Sequence, residues 1–317
     1  MKRNLIIFLS FWVTVGFAQN QGDISTIDID RFWEAYDQLP NCKTKADSIN
    51  TFQVNYIDKA SEGFKVFLQV RDFKAEEYYA LTKKYPKFWA SIRPNTLEIK
   101  NILGSLENIY SAFATTFPRD YQPKICFAIG ALRTGGTDAG GYLLIGADIM
   151  AADKTTDKSE LNKWLKTVLT DEFEVASIVA HEYVHALQYN NLATIWAGIN
   201  HRVLMQCLRE GAADFLAEKI TGSTINKHIY EYGHAHEAEI WTAFKKDMKS
   251  NRINNWLYQG MNTKNGEPAD LGYFVGYKIC ESYYNKAKDK QQALDEILLI
   301  KNYKKLYKKS GYGKQFE

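Results

Sequence analysis

Two histidines four residues apart enclose a glutamate in the segment His181-Glu182-Tyr183-Val184-His185. On a helix, four residues advance by about 400° and 6 Å, so both imidazoles project from nearly one face and can chelate one cation. Glu182 stands beside them, where its carboxylate can take a proton from metal-bound water without becoming a ligand. The chemistry predicted is zinc-dependent hydrolysis with Glu182 as general base. Over residues 171–188 a helix is expected, because Asp171 and Glu174 occupy capping-box positions ahead of apolar Val175, Ile178 and Val179. A pair of histidines this far apart also arises on ordinary helices, so the motif needs support from elsewhere in the chain.

Support comes from residues 208–218, a second helical stretch in which Glu210 and Asp214 lie four apart on one face. Glu210 is the expected third ligand, with Asp214, His201, His234 and His236 as alternatives. The pattern resembles zinc peptidases of the gluzincin group, which carry the same histidine motif and, on a later helix, a glutamate ligand followed four residues on by an aspartate. The resemblance implies Zn2+ on His181, His185 and Glu210, with Asp214 accepting a hydrogen bond from a ligand histidine and fixing its tautomer. Three protein ligands would leave the fourth tetrahedral position to water, the arrangement of a catalytic zinc. The extended metzincin pattern is excluded, since Gln188 and Asn191 stand where its glycine and third histidine would be.

Further chemistry-bearing residues lie downstream. His234 and His236, two apart on a helix, point in different directions and are not expected to share a metal. Tyr273 and Tyr277 are one turn apart, and either hydroxyl could stabilise the oxyanion as water attacks a carbonyl; core packing is the plainer role for both. Gly272 and Gly276 share that interval, which predicts close packing against the metal-bearing helix.

The elements that must position these residues are mostly helical. From residue 28 to 118, apolar residues recur at three- and four-residue spacing. The clearest case is a single long helix over residues 95–117, with Ile99, Ile102, Leu103, Leu106, Ile109 and Phe113 on one face and Pro118 as stop. Residues 124–132 and 142–149 are short apolar runs, expected to be two strands joined by a hairpin through the glycine-rich residues 134–141. No GK[ST] follows those glycines, so they are expected to form a turn and not a phosphate cradle. After residue 157 the chain is helical again. The expected architecture is α+β, a single domain over residues 19–317, with a helical part (19–118) and a metal-binding catalytic part (119–317).

The chain has 317 residues, ample for a substantial core. Residues 1–18 place Lys2 and Arg3 before an apolar run too short to span a bilayer and end on small residues, the pattern of a cleavable signal peptide. The expected location is secreted or periplasmic, with no membrane span in the mature protein. Losing Lys2 and Arg3 takes the formal charge from +3 to +1, which gives no reason to expect nucleic acid as a partner. Four cysteines, Cys42, Cys126, Cys207 and Cys280, form no CxxC pair and are compatible with disulfides or with buried thiols. The basic residues 301–314 have one apolar face in Tyr303, Leu306 and Tyr307 and are expected to form a solvated helix.

Residues 32–37, 55–71, 85–93, 180–188, 210–218 and 271–277 together resemble a bacterial family of predicted zinc-dependent proteases related to the gliding-motility lipoprotein B group. That resemblance implies a zincin-like fold with a helical N-terminal half and a small sheet beside the metal helix. The lipoprotein group carries an N-terminal cysteine that this sequence lacks, so membrane attachment is not carried over. The leading expectation is a secreted zinc peptidase acting on peptide or protein substrates; the rivals are an envelope binding or assembly protein that keeps zinc as a structural staple, and a hydrolase of other amides or esters.

Overall fold

The computed structural model describes residues 24–119, 121–188, 202–259 and 267–317. The expected signal peptide, Asn191 and His201 lie outside these residues. The N-terminal half is helical: α1 (Ile27–Gln38), α2 (Lys45–Phe52), α3 (Glu62–Arg71), α4 (Ala75–Lys84), α5 (Pro86–Glu98) and α6 (Leu103–Thr116). Local chemistry sets several of these starts. Thr44 and Asp47 form a reciprocal capping box on α2, the Ser61 hydroxyl accepts from Phe64 N on α3, and Pro86 opens α5. On α1, Ile29, Phe32 and Trp33 are buried at helical spacing, and Phe32 contacts the rings of Phe52, Tyr56 and Trp89 at 5.1–5.7 Å between centroids.

The long helix expected over residues 95–117 is two helices. A 3₁₀ segment at Ile99–Ile102 joins α5 to α6. Its tighter turn re-phases the chain so that Ile99, Leu106, Ile109 and Phe113 all stay buried, while Ile102 and Leu103 are only half-buried at the joint. Three- and four-residue spacing cannot distinguish the two kinds of turn over so short a stretch.

The sheet has four strands, β1 (Ile24–Ser25), β2 (Lys124–Ala128), β3 (Gly136–Ala139) and β4 (Tyr142–Gly146), in the order β1-β2-β4-β3. The two expected strands do pair, yet they run parallel, with Ile125 opposite Leu143 and Phe127 opposite Ile145. The hairpin instead lies within the glycine-rich segment, where β3 folds back antiparallel on β4. Thirteen residues separate β2 from β4, enough for the chain to return along β3 before β4 begins. Consequently the free edge on the metal side is β3. Residues 142–146 are interior, between β2 and β3.

The loop between β2 and β3 is anchored by buried polar groups. Ile129 O accepts from the hydroxyls of Tyr56 (3.1 Å) and Tyr78 (2.9 Å), and Ile129 N donates to Tyr56 Oη at 3.0 Å. Asp148 accepts from Gly130 N and Leu132 N, both at 2.6 Å. Between these anchors Ala131 and Leu132 adopt left-handed φ angles of 51° and 53°.

After α7 (Ala147–Met150) and α8 (Lys163–Val168) come α9 (Val175–Leu187), α10 (Arg202–Thr221), α11 (Lys227–Ala235), α12 (Glu237–Asp247), α13 (Gly272–Lys286), α14 (Lys290–Leu299) and α15 (Tyr303–Ser310). The architecture is α+β, mostly helical around a small mixed sheet. One continuous apolar core runs from Ile29 to Tyr312. Helix α10 is buried almost all round and lies between α9 and α13. Gly272 and Gly276 do permit a close approach, but their partner is α10 and not the histidine helix. A Cβ on Gly276 would stand 1.7 Å from Cys207 O, and one on Gly211 2.0 Å from Tyr277 N. All four cysteines are free thiols, three of them buried. Helix α15 buries Tyr303 and Leu306 and exposes its lysines.

Candidate metal centre

Helix α9 begins at Val175, later than expected. Asp171 does not cap it, because its carboxylate pairs with Lys158 Nζ at 2.7 Å, and Glu174 at the N-cap makes no side-chain capping bond. The helix is fixed by packing instead. Val175, Val179 and Tyr183 are fully buried, and the Tyr183 ring stacks on Phe113 of α6 at 4.5 Å. That seating turns His181 and His185 toward α10, where their Nε2 atoms stand 3.0 Å apart.

Glu210 on α10 completes the group. Its Oε2 lies 3.1 Å from His185 Nε2 and 3.7 Å from His181 Nε2, and the three ligand atoms all fall within 4.8 Å of one another. The outer ring nitrogens decide what this convergence means. His185 Nδ1 is 2.9 Å from Gln188 Oε1, and Gln188 orients its amide by donating from Nε2 to Arg209 O at 3.0 Å. His181 Nδ1 is 2.6 Å from Asp214 Oδ1, an ion-pair contact made too obliquely for a linear hydrogen bond. Tyr230 holds Asp214 from behind, its hydroxyl 2.6 Å from Oδ2. An oxygen thus faces each Nδ1 and orients its ring, which turns both Nε2 atoms toward Glu210. Two imidazole nitrogens and a carboxylate oxygen converge here on one small volume. Nitrogen and oxygen donors in this number suit zinc.

The electrostatics agree. Burial opposes a charge on His181, but the Asp214 and Glu210 carboxylates together outweigh it and push its pKa up to about 10, so a proton is the metal's competitor there. Burial likewise works against the Glu210 charge, yet the two histidines hold its carboxyl well below the usual range.

Glu182 is half-buried outside the ligand group, against the free edge strand. A Cβ built on Gly136 of β3 would stand 3.1 Å from its Cδ and 3.3 Å from its Oε1. Tyr273 reaches the centre: its ring centroid lies 6.1 Å from that of His181, and burial followed by the Glu210 and Asp214 charges raises its phenol well above the ordinary value. Tyr277 does not. Its hydroxyl donates to Glu218 at 3.0 Å and its ring packs on Tyr230 and Phe215. His234 meets the ring of Phe274 and His236 stacks on Tyr232, so neither joins the ligands.

Three contributors escaped sequence reasoning. Gln188, three residues beyond His185 at the C-cap of the same helix, carried a usable signal in its spacing. Tyr230 and Tyr258 carried none, because each reaches the centre from a distant segment. The Tyr258 hydroxyl donates to Glu210 Oε1 at 2.9 Å.

Among the described residues no helix is long and apolar enough to cross a membrane. No curated protein and no solved structure matches the chain. The family model described as gliding motility protein GldB matches residues 18–314, nearly the whole sequence, and the chain belongs to that family.

Proposed function

We propose that this protein acts in the cell envelope as a member of the gliding-motility family, built around a zinc ion held by His181, His185 and Glu210. The envelope location rests on the family's description and on the signal-peptide pattern of residues 1–18. The zinc rests on one observation, the convergence of two imidazole nitrogens and a carboxylate oxygen within 4.8 Å of one another. Gln188 and Asp214 orient the imidazoles, and Tyr230 secures Asp214.

A second reading, peptide hydrolysis at the same centre, is favoured by Glu182. A carboxylate spent purely on structure has no reason to sit beside the ligands and against an unpaired strand edge. A histidine helix beside the antiparallel edge strand of a mixed sheet supports a zincin-like reading, and β3 would offer the backbone groups that an extended peptide pairs with. A bound zinc would supply Lewis acidity. Glu182 would accept a proton during attack and return it to the leaving amine, and Tyr273 would donate toward the developing oxyanion.

Metal analysis of the purified protein tests the first reading: about one zinc per chain, lost with His181→Ala, is expected. Cleavage of a peptide library tests the second. Glu182→Gln should keep the zinc and lose cleavage by ~100-fold or more. Zinc with no cleavage by the unaltered protein leaves the envelope binding role alone standing.

A further inference from the structure

Tyr258 stands out on two counts. Its side chain belongs to a residue 60 % exposed, yet its hydroxyl reaches Glu210, which is only 7 % exposed. Its backbone has φ +60°, a left-handed conformation that disfavours a bulky side chain. Adjacent residues hold that conformation, since Gln259 N donates to Asp270 Oδ1 at 3.0 Å and Asp270 N donates to Gln259 Oε1 at 2.8 Å. An exposed ring gains little from burial, so the hydroxyl contact is what this unfavourable backbone secures.

We infer that Tyr258 is a positioning residue for the metal, which by occupying Glu210 Oε1 leaves Oε2 as the single carboxylate atom offered to the cation. Carboxylates bind metals through one oxygen or both, and an oxygen already accepting a phenol proton is the poorer ligand. The other carboxylate atom is the one facing both imidazoles. One-oxygen ligation keeps a coordination position open, which a two-oxygen glutamate would fill. This inference rests on the metal reading above and concerns how the carboxylate is presented.

Zinc affinity by chelator competition and the visible spectrum of the Co2+-loaded protein test it together, on the full chain and on Tyr258→Phe. The variant should bind Zn2+ ~10-fold or more weakly, and its cobalt bands should weaken as coordination number rises. Tyr258→Gly relieves the left-handed backbone and should match Tyr258→Phe in metal properties while melting no lower than the unaltered protein under chelator. That variant separates loss of the hydroxyl from loss of fold. Tyr277→Phe, whose hydroxyl serves Glu218, should leave both metal readouts unchanged. Equal zinc affinity and an unchanged cobalt spectrum in Tyr258→Phe would overturn the inference while the metal reading stands. Failure of the unaltered protein to bind either ion would overturn both.

Discussion

Asp148 has no exposure to solvent, and both carboxyl oxygens are spent on the loop that leads into β3. Burial pushes its pKa up to about 6, even though the two backbone donors favour the charged form. Because this folded-state value lies above the ordinary 3.8, folding takes up a proton in the window between them. Its contribution to stability is full below pH 4 and is lost as pH rises through 6, by about 3 kcal/mol for roughly two pKa units. Glu210, with its pKa depressed, slopes the opposite way, so the measurement is the difference between the unaltered protein and Asp148→Asn. Urea denaturation from pH 4 to 7 should find that difference shrinking by about this amount toward pH 7; a constant difference would refute the assignment. Residues of this kind are hidden in a sequence. Asp148 looks like any aspartate after a strand, whereas His181, His185, Glu210 and Asp214 announce themselves through helical spacing that is purely local.

Elements were legible to the degree that their partners are near in sequence. The glycine interval at 272 and 276 correctly signals a close helix crossing, but spacing says only that something approaches. It is α10, the helix bearing Glu210 and Asp214, that Gly276 meets at Cys207 and Gly211. Two strands could likewise be read from apolar runs, while their parallel pairing depends on where the glycine-rich chain turns. The crossing makes a prediction at its own scale. Gly276→Ala places a methyl 1.7 Å from a backbone carbonyl and must part the two helices. A loss of about 1–3 kcal/mol in chemical denaturation is expected, together with weaker zinc binding, since Gly211 lies beside Glu210 on the displaced helix. Unchanged stability would mean that the crossing is looser than described.

Across the whole molecule, a cation on His181, His185 and Glu210 would tie α9 to α10, with ligands 25 residues apart between His185 and Glu210. A ligand that binds only the folded state stabilises it by mass action, so zinc at about a thousand times its Kd should add ~4 kcal/mol. For a chain of this size that is a rise of roughly 6 °C in melting temperature, reversed by chelator and absent in His185→Ala. Identical melting with and without zinc would remove the metal from the account of stability. The tyrosine anchors on Ile129 point to the order in which the molecule is completed. Tyr56 and Tyr78 precede the loop by 73 and 51 residues, and both satisfy its backbone. A chain made from its N-terminus has finished the helices bearing those hydroxyls before it makes the segment that needs them. The first half thus serves as a jig on which β3, and with it the strand edge beside Glu182, can be set in register as it emerges, and a circular permutant that reversed this order should fold more slowly to the same end state.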